Sequence, residues 1–106
     1  MQFFVYRIDK PALSAVRQRT RPAHLAWAAT LGNRVVYAGP TLSDDGTAMT
    51  GSVWVLEAAS HAEADAIMQG DPYEQAGLFQ SRQIHRFMQV IPSPQPSMLP
   101  TSARSD

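Results

Sequence analysis

Gln2 to Ile8 (QFFVYRI) is a mostly apolar run rich in aromatic and β-branched residues, closed by Asp9, Lys10 and Pro11; it predicts a strand covered on both faces. Ala- and Leu-rich sequence then continues to Leu31, where Gly32 and Asn33 stop it. This predicts a helix with Pro11 in its first turn and Asp9 or Lys10 at the cap. Pro22 interrupts the run, so a kink is expected there, or a second helical segment capped by Thr20. Arg34 to Ala38 (RVVYA), leading into a turn at Gly39 and Pro40, and Ser52 to Glu57 (SVWVLE) read as two further strands. The polar stretch between them, TLSDDGTAMTG, is too short for a crossover helix, so they should form an antiparallel hairpin. Ser60 opens a second helix, SHAEADAIMQG, with Glu63 completing a capping box and Gly70 as its stop. Asp71 before Pro72 has the pattern of an N-cap aspartate on a short turn through Ala76. LFQSRQIHRF, from Leu78 to Phe87, alternates as a fourth and more polar strand, as suits a sheet edge.

The order strand, helix, strand, strand, helix, strand is the ferredoxin-like βαββαβ arrangement, an α+β fold with two helices on one face of a four-stranded antiparallel sheet. Alternation sends Phe3, Val5 and Arg7 to one side of the first strand and Phe4, Tyr6 and Ile8 to the other. With both faces largely apolar and only two helices available, a second subunit packing sheet on sheet is expected, making a homodimer. The folded domain should span residues 1–87. Residues 88–106 carry Pro92, Pro94, Pro96 and Pro100 among serines, bury little, and are expected to be a disordered tail.

A length of 106 residues suits one domain, so a site must lie inside a single core or between copies. Nine basic residues balance nine acidic ones, which leaves no field suited to nucleic acid; Arg17, Arg19 and Arg21 are a local exception. The absence of cysteine removes disulfides, thiolate zinc sites and a cysteine nucleophile. No apolar stretch approaches the ~20 residues of a membrane span, and the N-terminus lacks the marks of a signal peptide, so a soluble cytoplasmic protein is expected. The three histidines have no metal-ligand spacing, the glycines make no phosphate cradle, and no serine sits in a G-x-S-x-G elbow, so no metal or other cofactor is expected.

Leu13, Val16, Thr20, His24, Trp27 and Leu31 fall within roughly 80° on an unbroken helix, which aims His24 at the sheet. A buried imidazole needs a partner. One reading is a core-edge histidine satisfied by a backbone carbonyl, with Asp71 acting only as a cap. The other is a general acid/base pair of His24 with Asp71. His61 and His85 are expected to be exposed and uninvolved.

RPAHL at 21–25, AGP at 38–40, GS at 51–52 and DPYxxAGLF from Asp71 to Phe79 together resemble the YCII-related family over residues 1–87. The resemblance implies a dimeric α/β-barrel version of the ferredoxin-like fold. It also implies that His24 and Asp71 line a pocket as a catalytic dyad, with Ser52 and the Gly39-Pro40 turn at its wall. Arg21 is a candidate for attracting an anionic substrate. One characterised relative is a dehydrochlorinase of chlorinated-aromatic breakdown, so the implied chemistry is isomerisation or elimination on a hydroxylated or lactone-type small molecule. The competing expectation is a non-catalytic dimeric module that binds a ligand or protein partner through the same pocket, the sheet edge or the tail.

Overall fold

The computed structural model describes residues 1–94. Its elements are β1 (Gln2–Asp9), α1 (Ser14–Thr30), a 3-10 turn (Gly32–Arg34), β2 (Val35–Leu42), β3 (Met49–Glu57), α2 (His61–Gln69), the one-turn helix α3 (Pro72–Gln75) and β4 (Phe79–Phe87). The strands form one antiparallel sheet in the order β2-β3-β1-β4, which is the expected ferredoxin-like α+β topology. Most of the expected tail, residues 95–106, lies outside the described residues. Among the described residues no helix is long and apolar enough to cross a membrane.

The β1–β3 register sets Phe3, Val5 and Arg7 opposite Leu56, Trp54 and Ser52, and all six are buried on the helix-covered face. Phe3, Val5, Trp54 and Leu56 join Ala58, Ala64 and Met68 in one core, against which Trp27, Ala28 and Leu31 of α1 pack. Each large apolar side chain so buried contributes about 1.5–3 kcal/mol. On the opposite face Phe4, Tyr6, Ile8 and Val53 stay partly exposed.

Helix α1 departs from expectation at both its start and its middle. It begins at Ser14, with Leu13 as an N-cap that has no side-chain acceptor. Asp9 is not available to cap it, because Asp9 ends β1 and its carboxylate grips Arg17 through Nε at 2.8 Å and Nη2 at 3.2 Å. Nor does Pro22 break the helix or start a second segment. Pro22 and Gln18, whose carbonyl loses its usual donor, both lie on the exposed side of the helix, so the freed oxygen does not have to be matched inside the core. The predicted stripe therefore stays in one register, with Leu13, Val16, Thr20, His24, Trp27 and Leu31 all turned at least partly inward.

Strand β2 continues through Gly39 and Pro40 to Leu42, so the expected turn there is strand instead. Edge position explains this, since a proline is tolerated where no ladder donor is needed on its outer side. The hairpin turn falls over residues 43–48, within the polar stretch expected to join the two strands, where Gly46 has a φ of +77° and β3 starts at Met49. The caps of the second half follow the sequence. Ser60 Oγ accepts from the Glu63 backbone N–H at 3.0 Å, although the Glu63 carboxylate returns to the N–H of Ala59, one residue before the cap. Gly70 sits close under Trp27: a Cβ there would lie 3.1 Å from its Nε1, a tight contact.

Candidate active site

His24 leaves α1 toward the start of α3, where Asp71 sits at the N-cap position. Nδ1 of His24 lies 2.8 Å from Oδ1 of Asp71. The same Oδ1 accepts the Tyr73 backbone N–H at 2.9 Å, so the aspartate caps α3 and meets the histidine at once. The side chain of Asp71 is fully buried and that of His24 is 14% exposed. Tyr73 stacks on the imidazole, centroids 4.0 Å apart and planes 18° from parallel, while Trp54 meets it edge-on at 5.9 Å. The ring is thus fixed by the carboxylate at Nδ1 and by aromatic packing, which leaves Nε2 as the nitrogen free to exchange a proton.

The other carboxylate oxygen belongs to Arg7. Its Nη2 lies 2.9 Å from Oδ2 of Asp71, with both side chains fully buried. Neither atom has a hydrogen-bond partner of good geometry, so this is a close charge pair and not a linear hydrogen bond. Arg7 also donates from Nε to Ser52 Oγ at 3.0 Å and from Nη1 to Glu74 at 3.3 Å, and its guanidinium lies 4.0 Å from the Phe79 ring centre. Arg82 continues the alternation, pairing with Glu74 at 2.9 Å and Asp65 at 2.5 Å.

Burial alone would raise the Asp71 pKa. The His24 hydrogen bond, the Arg7 charge and the Tyr73 N–H together outweigh it and hold the carboxyl below its usual range. Burial pulls Arg7 below its ordinary value against the opposing charges of Asp71 and Glu74, but a guanidinium remains protonated. Tyr73 is pushed up by burial, with Arg17 and Arg21 acting against that shift, so it stays a neutral phenol.

A cavity of about 520 Å³ opens beside the imidazole, within the size range of small-molecule sites. Its polar lining comes from Arg17, Arg21, His24, Ser52 and Tyr73, and among the described residues no carboxylate faces it; Leu25, Ala28, Val35, Met49 and Trp54 supply apolar wall. Each residue expected at the site is therefore at or beside it. His24, Ser52, Arg21, Gly39 and Pro40 line the cavity, the last two as strand, and Asp71 sits behind His24. His61 and His85 are exposed and bond a backbone carbonyl and Gln83 respectively.

Arg7, Arg17, Trp54 and Tyr73 were not expected there. Alternation groups Arg7 with Phe3 and Val5 and sets Trp54 opposite to Val53 and Val55, and the fold makes the side of Arg7 and Trp54 the helix-covered one. Arg17 gave little, because a helix-borne arginine reads as solvated; in the fold it is held by Asp9 and by the Gly51 carbonyl at 2.9 Å.

The YCII-related domain model matches residues 1–88 of the chain. Protein YciI of Escherichia coli and protein YciI of Shigella flexneri are each 34% identical to it over 98 residues, covering 86% of this chain and 100% of theirs. A solved structure of 5-chloro-2-hydroxyhydroquinone dehydrochlorinase (TftG) from Burkholderia phenoliruptrix, in complex with 2,5-dihydroxybenzoquinone, is 36% identical. It matches with a TM-score of 0.77, covering 83% of this chain and 94% of that one.

Proposed function

The chain belongs to the YCII-related family, and on that footing we propose that it is a small-molecule enzyme using His24 and Asp71 as a general acid/base pair. The observation that carries this reading is the 2.8 Å approach of His24 Nδ1 to a buried carboxylate at the edge of an open cavity. Asp71 accepts the hydrogen on Nδ1 and fixes the tautomer, so that Nε2 takes a proton from the substrate. The electron pair left behind moves onto an adjacent carbonyl, whose developing oxyanion is met by Arg17, Arg21 and the Ser52 hydroxyl. Ser52 already accepts from Arg7, so its own hydrogen remains to be donated. Return of the proton at another carbon gives isomerisation. Departure of a leaving group with its bonding electrons, as the electron pair forms a double bond, gives elimination. In either case Asp71 stabilises the imidazolium.

Acid/base help of this kind supplies about 10²–10⁴-fold, which is enough where the hydrogen removed is already acidic. A cavity with room for a small ring compound, lined among the described residues by cations and no carboxylate, fits an oxygenated, anionic or readily ionised substrate. The dehydrochlorinase relative and its bound dihydroxybenzoquinone support that class and favour elimination. The partly exposed apolar sheet face further fits a homodimer packed sheet to sheet.

The test is turnover of a panel of hydroxylated, halogenated and lactone-type rings by wild type, His24→Ala and Asp71→Ala. Activity in the wild type, reduced about 10²-fold or more in both folded variants, is the expected result. Binding of panel members without turnover by any protein would replace this reading with the non-catalytic ligand-binding module.

A further inference from the structure

Arg7 is a fully buried cation that the proposed chemistry does not use, and its placement extends the pairing of His24 with Asp71 proposed above. We infer that Arg7 is a positioning residue: it occupies Oδ2 of Asp71, leaves Oδ1 to His24, and thereby fixes the imidazole with its hydrogen on Nδ1 and Nε2 toward the cavity.

The geometry carries this in three steps. First, the guanidinium cannot swing away, because Ser52 Oγ holds Nε at 3.0 Å, Glu74 holds Nη1 at 3.3 Å and the Phe79 ring lies 4.0 Å from Cζ. Second, Oδ2 of Asp71 has no other partner among the described residues, so Arg7 is what keeps the carboxylate from turning Oδ1 off the line to Nδ1 or taking up a proton at Oδ2. Third, Glu74 is itself neutralised by Arg82, so Arg7 need not be drawn off Asp71 to balance a second anion.

The charged and titratable groups around Asp71 are Arg7 on β1, His24 on α1 and Tyr73 and Glu74 on α3, with Arg17 and Arg21 of α1 next to Tyr73. Arg82 of β4 acts through Glu74. Of these, Arg7 is the arginine in contact with Asp71, so its removal leaves the Asp71 and Glu74 carboxylates with one fewer counter-charge. Protonation of Asp71 then becomes easier in acid, and at higher pH the released carboxylate no longer holds Oδ1 on the line to Nδ1, so the hydrogen bond that selects the Nδ1–H form weakens.

The experiment is NMR on the full chain, reading the Asp71 carboxyl ¹³C shift across acid pH and the His24 ring ¹⁵N shifts at a pH where the ring is neutral. The wild type is expected to show the Nδ1–H tautomer and an Asp71 that stays ionised below the range of ordinary aspartates. In Arg7→Gln the Asp71 midpoint should rise by about 1 pH unit or more and the ring should become a mixture of tautomers. A folded Arg7→Gln with both readouts as in the wild type would make Arg7 a fold contact only and overturn the inference. Should the glutamine variant not fold, Arg7→Lys keeps a cation on β1 and should retain the wild-type Asp71 titration. An ordinary aspartate midpoint in a folded lysine variant, or an Nε2–H tautomer in the wild type itself, also overturns it. None of these readouts depends on turnover, so an inactive wild type would end the catalytic reading and leave this one standing.

Discussion

Asp71 divides two oxygens among three partners: His24 and the Tyr73 N–H at Oδ1, and Arg7 at Oδ2. Removing one side of a fully buried ion pair typically costs about 3–5 kcal/mol, because the partner is left charged and unmatched. Asp71→Asn should therefore lose stability of that order in urea unfolding at neutral pH. The pH dependence follows from the depressed Asp71 pKa. A carboxyl that binds its proton less readily in the fold contributes fully above the unfolded value of about 3.9 and loses that contribution as pH falls through the lower folded value. The stability gap between wild type and Asp71→Asn should thus be full at pH 6 and shrink below pH 4; a gap independent of pH would contradict the assignment. At this scale the sequence showed His24 on the inward stripe and Asp71 as a cap, but treated capping and pairing as alternatives. A carboxylate has enough lone pairs for both. Alternation grouped Arg7 with Phe3 and Val5 on one side of the first strand, yet nothing local announces that a charged strand residue has partners 45 to 67 positions away.

Helix α1 shows that Pro22 does not open a second segment. Proline removes one donor and crowds the preceding turn, so an expected break is the reasonable inference from the residue alone. The cost depends on which side of the helix bears it, and here the freed carbonyl faces water. Pro22→Ala should restore that bond and raise the midpoint of thermal unfolding, by a gain of up to about 3 kcal/mol, without displacing His24. A lower midpoint would show that the proline is needed for the approach of α1 to the sheet. Strand β2 makes the same point in reverse, since Gly39 and Pro40 are turn residues by composition but strand residues at an edge. Element type and order were therefore legible from periodicity, while the ends were decided by what each terminus packs against.

For the whole molecule, the ferredoxin-like order was readable because every strand and helix carried its own pattern, and the helix-covered face matched alternation in β1 and β3. The other face is what that pattern left without cover. If a second copy occupies it, sedimentation should give a dimer, and Tyr6→Glu or Val53→Glu, which place a charge at paired positions on that face, should shift it to monomer. A wild type that sediments as a monomer at every concentration would remove the dimer from the account. The central claim, that His24 backed by Asp71 takes a proton from a bound ring compound, is tested most directly by hydrogen–deuterium exchange. An oxygenated ring substrate with an acidic C–H is followed by NMR in D₂O with wild type and His24→Gln. Exchange should be accelerated by the wild type at least about 10²-fold over the variant. Equal exchange rates, with the ligand bound by both proteins, would contradict it.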